Sequence, residues 1–158
     1  MIAREDRLMV DLRLKLYTCL VAGALGIAAS TPALAKEVVV QMKNQGAAGM
    51  MVFEPAFVKV AVGDTVRFVP TDKSHNAETM REILPTGAMP VAGKINQEIV
   101  VKFDKGGVYG FKCKPHYSMG MVALVQVGPK PSNLAAAKAT KLPGLAQKRM
   151  SGLWSSVK

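Results

Sequence analysis

Apolar residues recur at every second position through much of the chain. Val38, Val40 and Met42 share one side of "EVVVQM", and Val58, Val60 and Val62 share one side of "FVKVAV". Val66 and Phe68 continue the pattern after a turn at Gly63-Asp64. Ile99, Val101 and Phe103 form another face, and beyond the Lys105-Gly106-Gly107 turn Tyr109, Phe111 and Cys113 alternate with Val108, Gly110 and Lys112. A last run, "MVALVQV", ends at Val127. Period-two alternation in short segments rich in β-branched residues, divided by glycine and proline, predicts strands with one buried face. No long helical pattern separates them to make parallel crossovers, so an all-β antiparallel sandwich or barrel is expected over residues 36–128.

After Gly128-Pro129 the pattern changes. "SNLAAAKATKL" is rich in helix formers, Pro143-Gly144 interrupts it, and Met150, Leu153, Trp154 and Val157 then recur at helical spacing. Two short helices are expected in 129–158. Ser151 and Gly152 weaken the second, so its packing face must supply most of its stability.

The first thirty-five residues read differently. Arg4, Arg7, Arg13 and Lys15 precede the uncharged run "LYTCLVAGALGIAA", and Ala33-Leu34-Ala35 ends the segment. A run too short to span a bilayer comfortably, followed by small residues, predicts a secretory signal peptide over 1–35 with cleavage after Ala35. Translation from Met1 or from Met9 leads to the same mature domain, 36–158. Leu16-Tyr17-Thr18-Cys19 loosely matches a lipoprotein box but precedes most of the apolar core, so no lipid anchor is expected. A chain of 158 residues, shortened in this way, suits a single domain.

Export changes the meaning of the two cysteines. Cys19 leaves with the leader, and Cys113 becomes a lone thiol in an oxidising compartment. Such a thiol is buried and inert, paired with another chain, or held by a metal. Of 21 lysines and arginines, 17 follow residue 35, against 8 acidic residues. They are scattered, and aromatic residues do not alternate with them, so nucleic acid is not the expected partner. An acidic protein surface is.

Cys113 opens "CKPHYSMGM", which also holds His116, Met119 and Met121. The chain has only two histidines, and the other, His75, lies in "TDKSHNAE" at a different strand end. Two imidazoles, a thiolate and a thioether make a soft to borderline donor set that suits copper. Zinc would accept the cysteine and histidines, but a structural zinc site usually recruits more thiolates. A Cys-His nucleophilic pair is chemically conceivable, since an imidazole lowers a thiol pKa, yet it leaves His75 and the methionines unused.

"CKPHYSMGM", the upstream "SHN" and the long stretch "GMMVFEPAFVKVAVGDTVRFVPTDKSHN" together resemble the cupredoxins, the blue copper proteins, and within them the pseudoazurins. The likeness covers essentially the whole mature chain, and the helical C-terminal extension favours pseudoazurins over plastocyanins. It implies a Greek-key β-sandwich of cupredoxin type. It also implies one type 1 copper ion, with His75, Cys113 and His116 as trigonal ligands and Met121 as the weak axial one. Met119 is the rival axial residue, at the shorter spacing of amicyanin. Asn76 is implied to tie the two ligand loops together, and Met51 to lie beside His116. Lys114 stands where a smaller residue is expected.

Three strong ligands and one long thioether bond lie between the preferences of Cu(I) and Cu(II), so electron exchange requires little rearrangement. No open coordination position remains for a substrate. The resemblance therefore implies a monomeric periplasmic electron carrier and not an enzyme. It would serve a copper nitrite reductase in denitrification, with c-type cytochromes as donors. Copper storage or delivery by the same ligands is the alternative. His116, flanked by Pro115 and Tyr117, is expected to reach an apolar patch, ringed by Lys43, Lys73, Lys112 and Lys114 for docking acidic redox proteins.

Overall fold

The structure, a computed structural model, describes residues Leu34–Lys158. The expected leader lies outside the described residues except for its last two positions.

Among the described residues, eight strands form two four-stranded sheets. They are β1 (Glu37–Gly46), β2 (Gly49–Glu54), β3 (Phe57–Val60), β4 (Thr65–Pro70), β5 (Glu78–Thr79), β6 (Ile99–Lys102), β7 (Gly107–Lys112) and β8 (Val122–Val127). One sheet runs β2-β1-β4-β6 and the other β3-β8-β7-β5. The expected β-sandwich is present, but the sheets are not purely antiparallel. β1 pairs in parallel with β4, and β3 with β8. The chain crosses repeatedly from one sheet to the other, and strands that meet after such a crossing need not run in opposite directions.

The alternating residues fill the space between the sheets. Val40, Met42, Val58, Val60, Val66, Phe68, Val101, Phe103, Tyr109, Phe111 and Cys113 belong to one buried cluster. Phe68 stacks obliquely on Phe111 at 4.5 Å between ring centroids, and Phe103 meets Tyr109 edge-on at 4.9 Å. Burying each such ring stabilises the fold by about 1.5–3 kcal/mol. Val62 departs from the expected pattern and is 56% exposed. β3 ends at Val60, and Asp64 then accepts hydrogen bonds from the Ala61 N–H at 2.8 Å and the Lys36 N–H at 2.8 Å. Gly63, at φ +96°, permits that tight turn, so Val62 lies outside the strand.

The two central strands of the second sheet, β7 and β8, are buried on both faces. Every residue of β8 is buried, and Val108, Val122 and Leu124 pack into a second cluster with Ala137, Ala146 and Met150. That cover comes from the expected helices, α1 (Leu134–Ala139) and α2 (Gly144–Leu153), and from 3-10 turns at Arg81–Ile83 and Trp154–Ser156. The one polar residue in β8 is fully satisfied. Gln126 donates to the Gly128 carbonyl at 2.9 Å and the Lys158 carbonyl at 2.6 Å, and accepts from the Lys158 N–H at 3.1 Å. It ties the end of the chain to the sheet.

Candidate metal centre

His75 lies in the loop between β4 and β5, where local backbone conformation and a side-chain latch fix it. Ser74 adopts φ +74°, and its N–H donates to Asn96 Oδ1 at 2.6 Å. The Asn96 N–H in turn donates to the His75 carbonyl at 2.8 Å. Cys113 follows β7, so the strand that places Tyr109 and Phe111 in the core also carries the thiol inward. Between β7 and β8 the chain makes a compact turn. The His116 N–H donates to the Cys113 carbonyl at 3.2 Å, the Met121 N–H to the His116 carbonyl at 3.1 Å, and the Cys113 N–H to the Met121 carbonyl at 3.0 Å.

The two loops bring three donors together. Cys113 Sγ lies 3.7 Å from His75 Nδ1 and 3.5 Å from His116 Nδ1, and the two nitrogens are 3.1 Å apart. A point equidistant from all three lies about 2.0 Å from each, within the usual range for metal–nitrogen bonds and slightly short of metal–sulfur bonds. His75 and Cys113 are fully buried and His116 is half-buried.

The electrostatics favour neutral imidazole and a shielded sulfur. Burial lowers the pKa of His75, and the neighbouring His116 lowers it further. Burial pushes the Cys113 thiol up, while the backbone N–H groups of Asn76 and His116 act in the opposite direction by favouring thiolate. A cysteine with no exposed surface cannot reach another chain, which removes the intermolecular disulfide among the three expectations for this thiol.

Asn76 Oδ1 accepts from the Lys114 N–H at 2.8 Å, and its Nδ2 donates to the Gly93 carbonyl at 3.0 Å, so its side chain links the His75 loop to the segment that follows Cys113. Asn44 was not anticipated. Its Oδ1 lies 3.0 Å from His75 Nε2, and its backbone N–H donates to Asp72 at 2.7 Å. Nothing local in "MKNQG" marks that role; β1 brings Asn44 across 31 residues of sequence.

The methionines differ sharply. Met121 is fully buried in the sandwich core, whereas Met119 is 40% exposed. Met51, at φ +50° in β2, is half-buried against the same core. Pro115 is exposed, and Tyr117 packs partly into the helix-side cluster with Lys112 5.1 Å from its ring centre. Met50, Met119 and Leu145 expose apolar surface. Of the four lysines expected to dock partners, Lys43 pairs with Glu54 and Lys112 with Glu78. Lys73 and Lys114 are exposed and pair with no carboxylate among the described residues.

Comparison with known proteins meets this geometry directly. Residues 40–128 match the model of the copper binding proteins of the plastocyanin/azurin family. The chain belongs to that family. It is 54% identical over 134 residues to pseudoazurin of Methylorubrum extorquens, covering 85% of this chain and 90% of the relative. It is 50% identical over 129 residues to pseudoazurin of Paracoccus pantotrophus, covering 82% and 89%. The crystal structure of pseudoazurin from Methylobacterium extorquens AM1 superposes with a TM-score of 0.75 at 55% identity, covering 77% of this chain and 99% of that one. The fold is therefore that of the cupredoxins, and the cofactor is copper, held in a type 1 centre. The protein is a blue copper electron carrier of pseudoazurin type. No helix among the described residues is long and apolar enough to cross a membrane.

Proposed function

We propose that this protein carries single electrons in the periplasm to an acidic redox enzyme, a copper nitrite reductase of denitrification, and receives them from c-type cytochromes. Bound copper supplies the one-electron couple. His75, Cys113 and His116 would hold it, and Met121, buried where Met119 is exposed, would add a thioether sulfur.

The observation that carries this reading is the asymmetry of the donors. His75 and Cys113 are wholly buried, while His116 alone among the three is half-buried. A partner can approach the centre through one imidazole edge without opening the site to water or substrate. Exposed Pro115, Met119 and Met50 offer an apolar contact surface, and exposed Lys73 and Lys114 offer positive charge for steering.

The test is spectroscopic and kinetic. Copper-loaded protein should show an intense visible sulfur-to-copper band that Cys113→Ser abolishes. It should also keep its metal through repeated oxidation and reduction. Loss of the ion to a copper acceptor during cycling would favour storage or delivery instead. Electron transfer to a copper nitrite reductase, falling as salt rises, tests the partner; indifference to that enzyme would refute it.

A further inference from the structure

Arg149, in the middle of α2, reaches across to the ligand loop. Its Nη1 donates to the Met51 carbonyl at 2.7 Å and the Gly120 carbonyl at 3.1 Å, and its Nη2 donates to the Met50 carbonyl at 2.8 Å. No carboxylate pairs with it among the described residues. A guanidinium that spends its forked donors on three backbone carbonyls from two distant segments holds those segments in register.

Gly120 is the peptide between the two methionines. It adopts φ +83°, and a Cβ there would stand 2.8 Å from Leu145 Cγ and 3.0 Å from Arg149 Cδ, so α2 lies directly against this point of the loop. The next residue, Met121, is bonded through its backbone to both neighbouring ligands, accepting from Cys113 and donating to His116. The loop is thus held to the copper side by Met121 and to the helix side by Arg149.

We propose that Arg149 is a positioning residue of the copper centre: by pinning the Gly120 carbonyl to α2 and β2, it sets the distance at which Met121 presents its sulfur. This rests on Met121 being the axial ligand. The thioether bond is the long and weak one, so its length responds to a small shift of the loop where the short bonds do not. The guanidinium charge also favours the less positive, reduced state of the site and raises its potential.

Two substitutions and a control separate these effects. Arg149→Met removes both the donors and the charge, and Arg149→Lys keeps the charge but cannot span three carbonyls. Leu153→Ala loosens α2 from the helix-side cluster without touching the loop. Visible spectra, reduction potentials, copper affinity and thermal unfolding should be measured for each. We expect Arg149→Met to change the intensity ratio of the sulfur-to-copper bands, lower the potential and weaken copper binding about tenfold. Arg149→Lys should recover part of the potential but not the band ratio. Leu153→Ala should lower the melting temperature and leave spectrum and potential unchanged.

A folded Arg149→Met protein with the parent's spectrum and potential would overturn the proposal. So would a Leu153→Ala protein shifted in the same way. Should Arg149→Met fail to fold, an unaltered band ratio in Arg149→Lys is equally fatal. A parent protein without any such band would instead remove the copper reading on which the proposal rests.

Discussion

Asn44 Oδ1 faces His75 Nε2 at 3.0 Å, and that contact decides which nitrogen of the imidazole is bare. With the amide oxygen as acceptor, the proton sits on Nε2, and Nδ1 turns an unprotonated lone pair towards Cys113. Asn44→Ala should weaken copper binding about tenfold and, by leaving a buried N–H unpaired, destabilise the apoprotein by about 1–3 kcal/mol. Competition titration with a copper chelator and thermal unfolding of the apoprotein measure the two losses. Equal affinity in parent and variant would show that the contact does not set the tautomer.

Burial separates the two methionines. Met121→Ala should cost about 2–5 kcal/mol of folding stability and alter the visible spectrum of the copper form, since it removes both core volume and the axial sulfur. Met119→Ala should change stability by no more than about 0.5 kcal/mol and leave the spectrum as it was. The reverse outcome would make Met119 the ligand.

The lysines should divide into two pairs. Lys73→Glu and Lys114→Glu should slow association with an acidic partner several-fold at low salt, and the difference should shrink once the screening length falls to about 8 Å near physiological ionic strength. Lys43→Gln should matter less, because Glu54 already offsets that charge, and so should Lys112→Gln opposite Glu78. Stopped-flow rates over a salt series measure this; four equal effects would remove the distinction.

Acid stability should follow two carboxylates. Glu54 is held below its ordinary value of 4.5, first by its hydrogen bond with Lys43 and then by the Ala47 N–H. Asp64 is held below 3.8 by the N–H groups of Lys36 and Ala61. A folded-state pKa below the unfolded one means that the stabilisation is complete above about pH 5 and is lost as pH falls through the folded value. Glu54→Gln and Asp64→Asn should each flatten the decline in melting temperature below that pH. An acid limb unchanged in both variants would locate the sensitivity elsewhere.

Strands with one face towards water were legible because their alternation is visible in the residues. Val40 is buried while Val39 is 47% exposed. β2 leaves no such mark, since "GMMVFE" shows no alternation, and β5 is only two residues long. Both faces of β8 are buried, because one meets the opposite sheet and the other the helices; that could not be read from the strand alone. The ligands were legible for a chemical reason: a thiol, scarce imidazoles and thioethers have few other reasons to gather. Asn44 and Arg149 were hidden because their roles depend on tertiary contacts, 31 residues from His75 and 98 from Met51, and their residue types are ordinary where they stand.

The Asp64 turn bears on the maturation expected from the sequence. Its Oδ1 receives the Lys36 N–H at 2.8 Å, and Lys36 is the residue that the expected cleavage after Ala35 would leave first. Processing there would replace a peptide amide with a terminal ammonium beside that carboxylate, converting a neutral donor into a charged one. Trimming would then register as a gain in rigidity at the edge of β1, and Asp64→Asn should cost the processed form more melting temperature than the precursor.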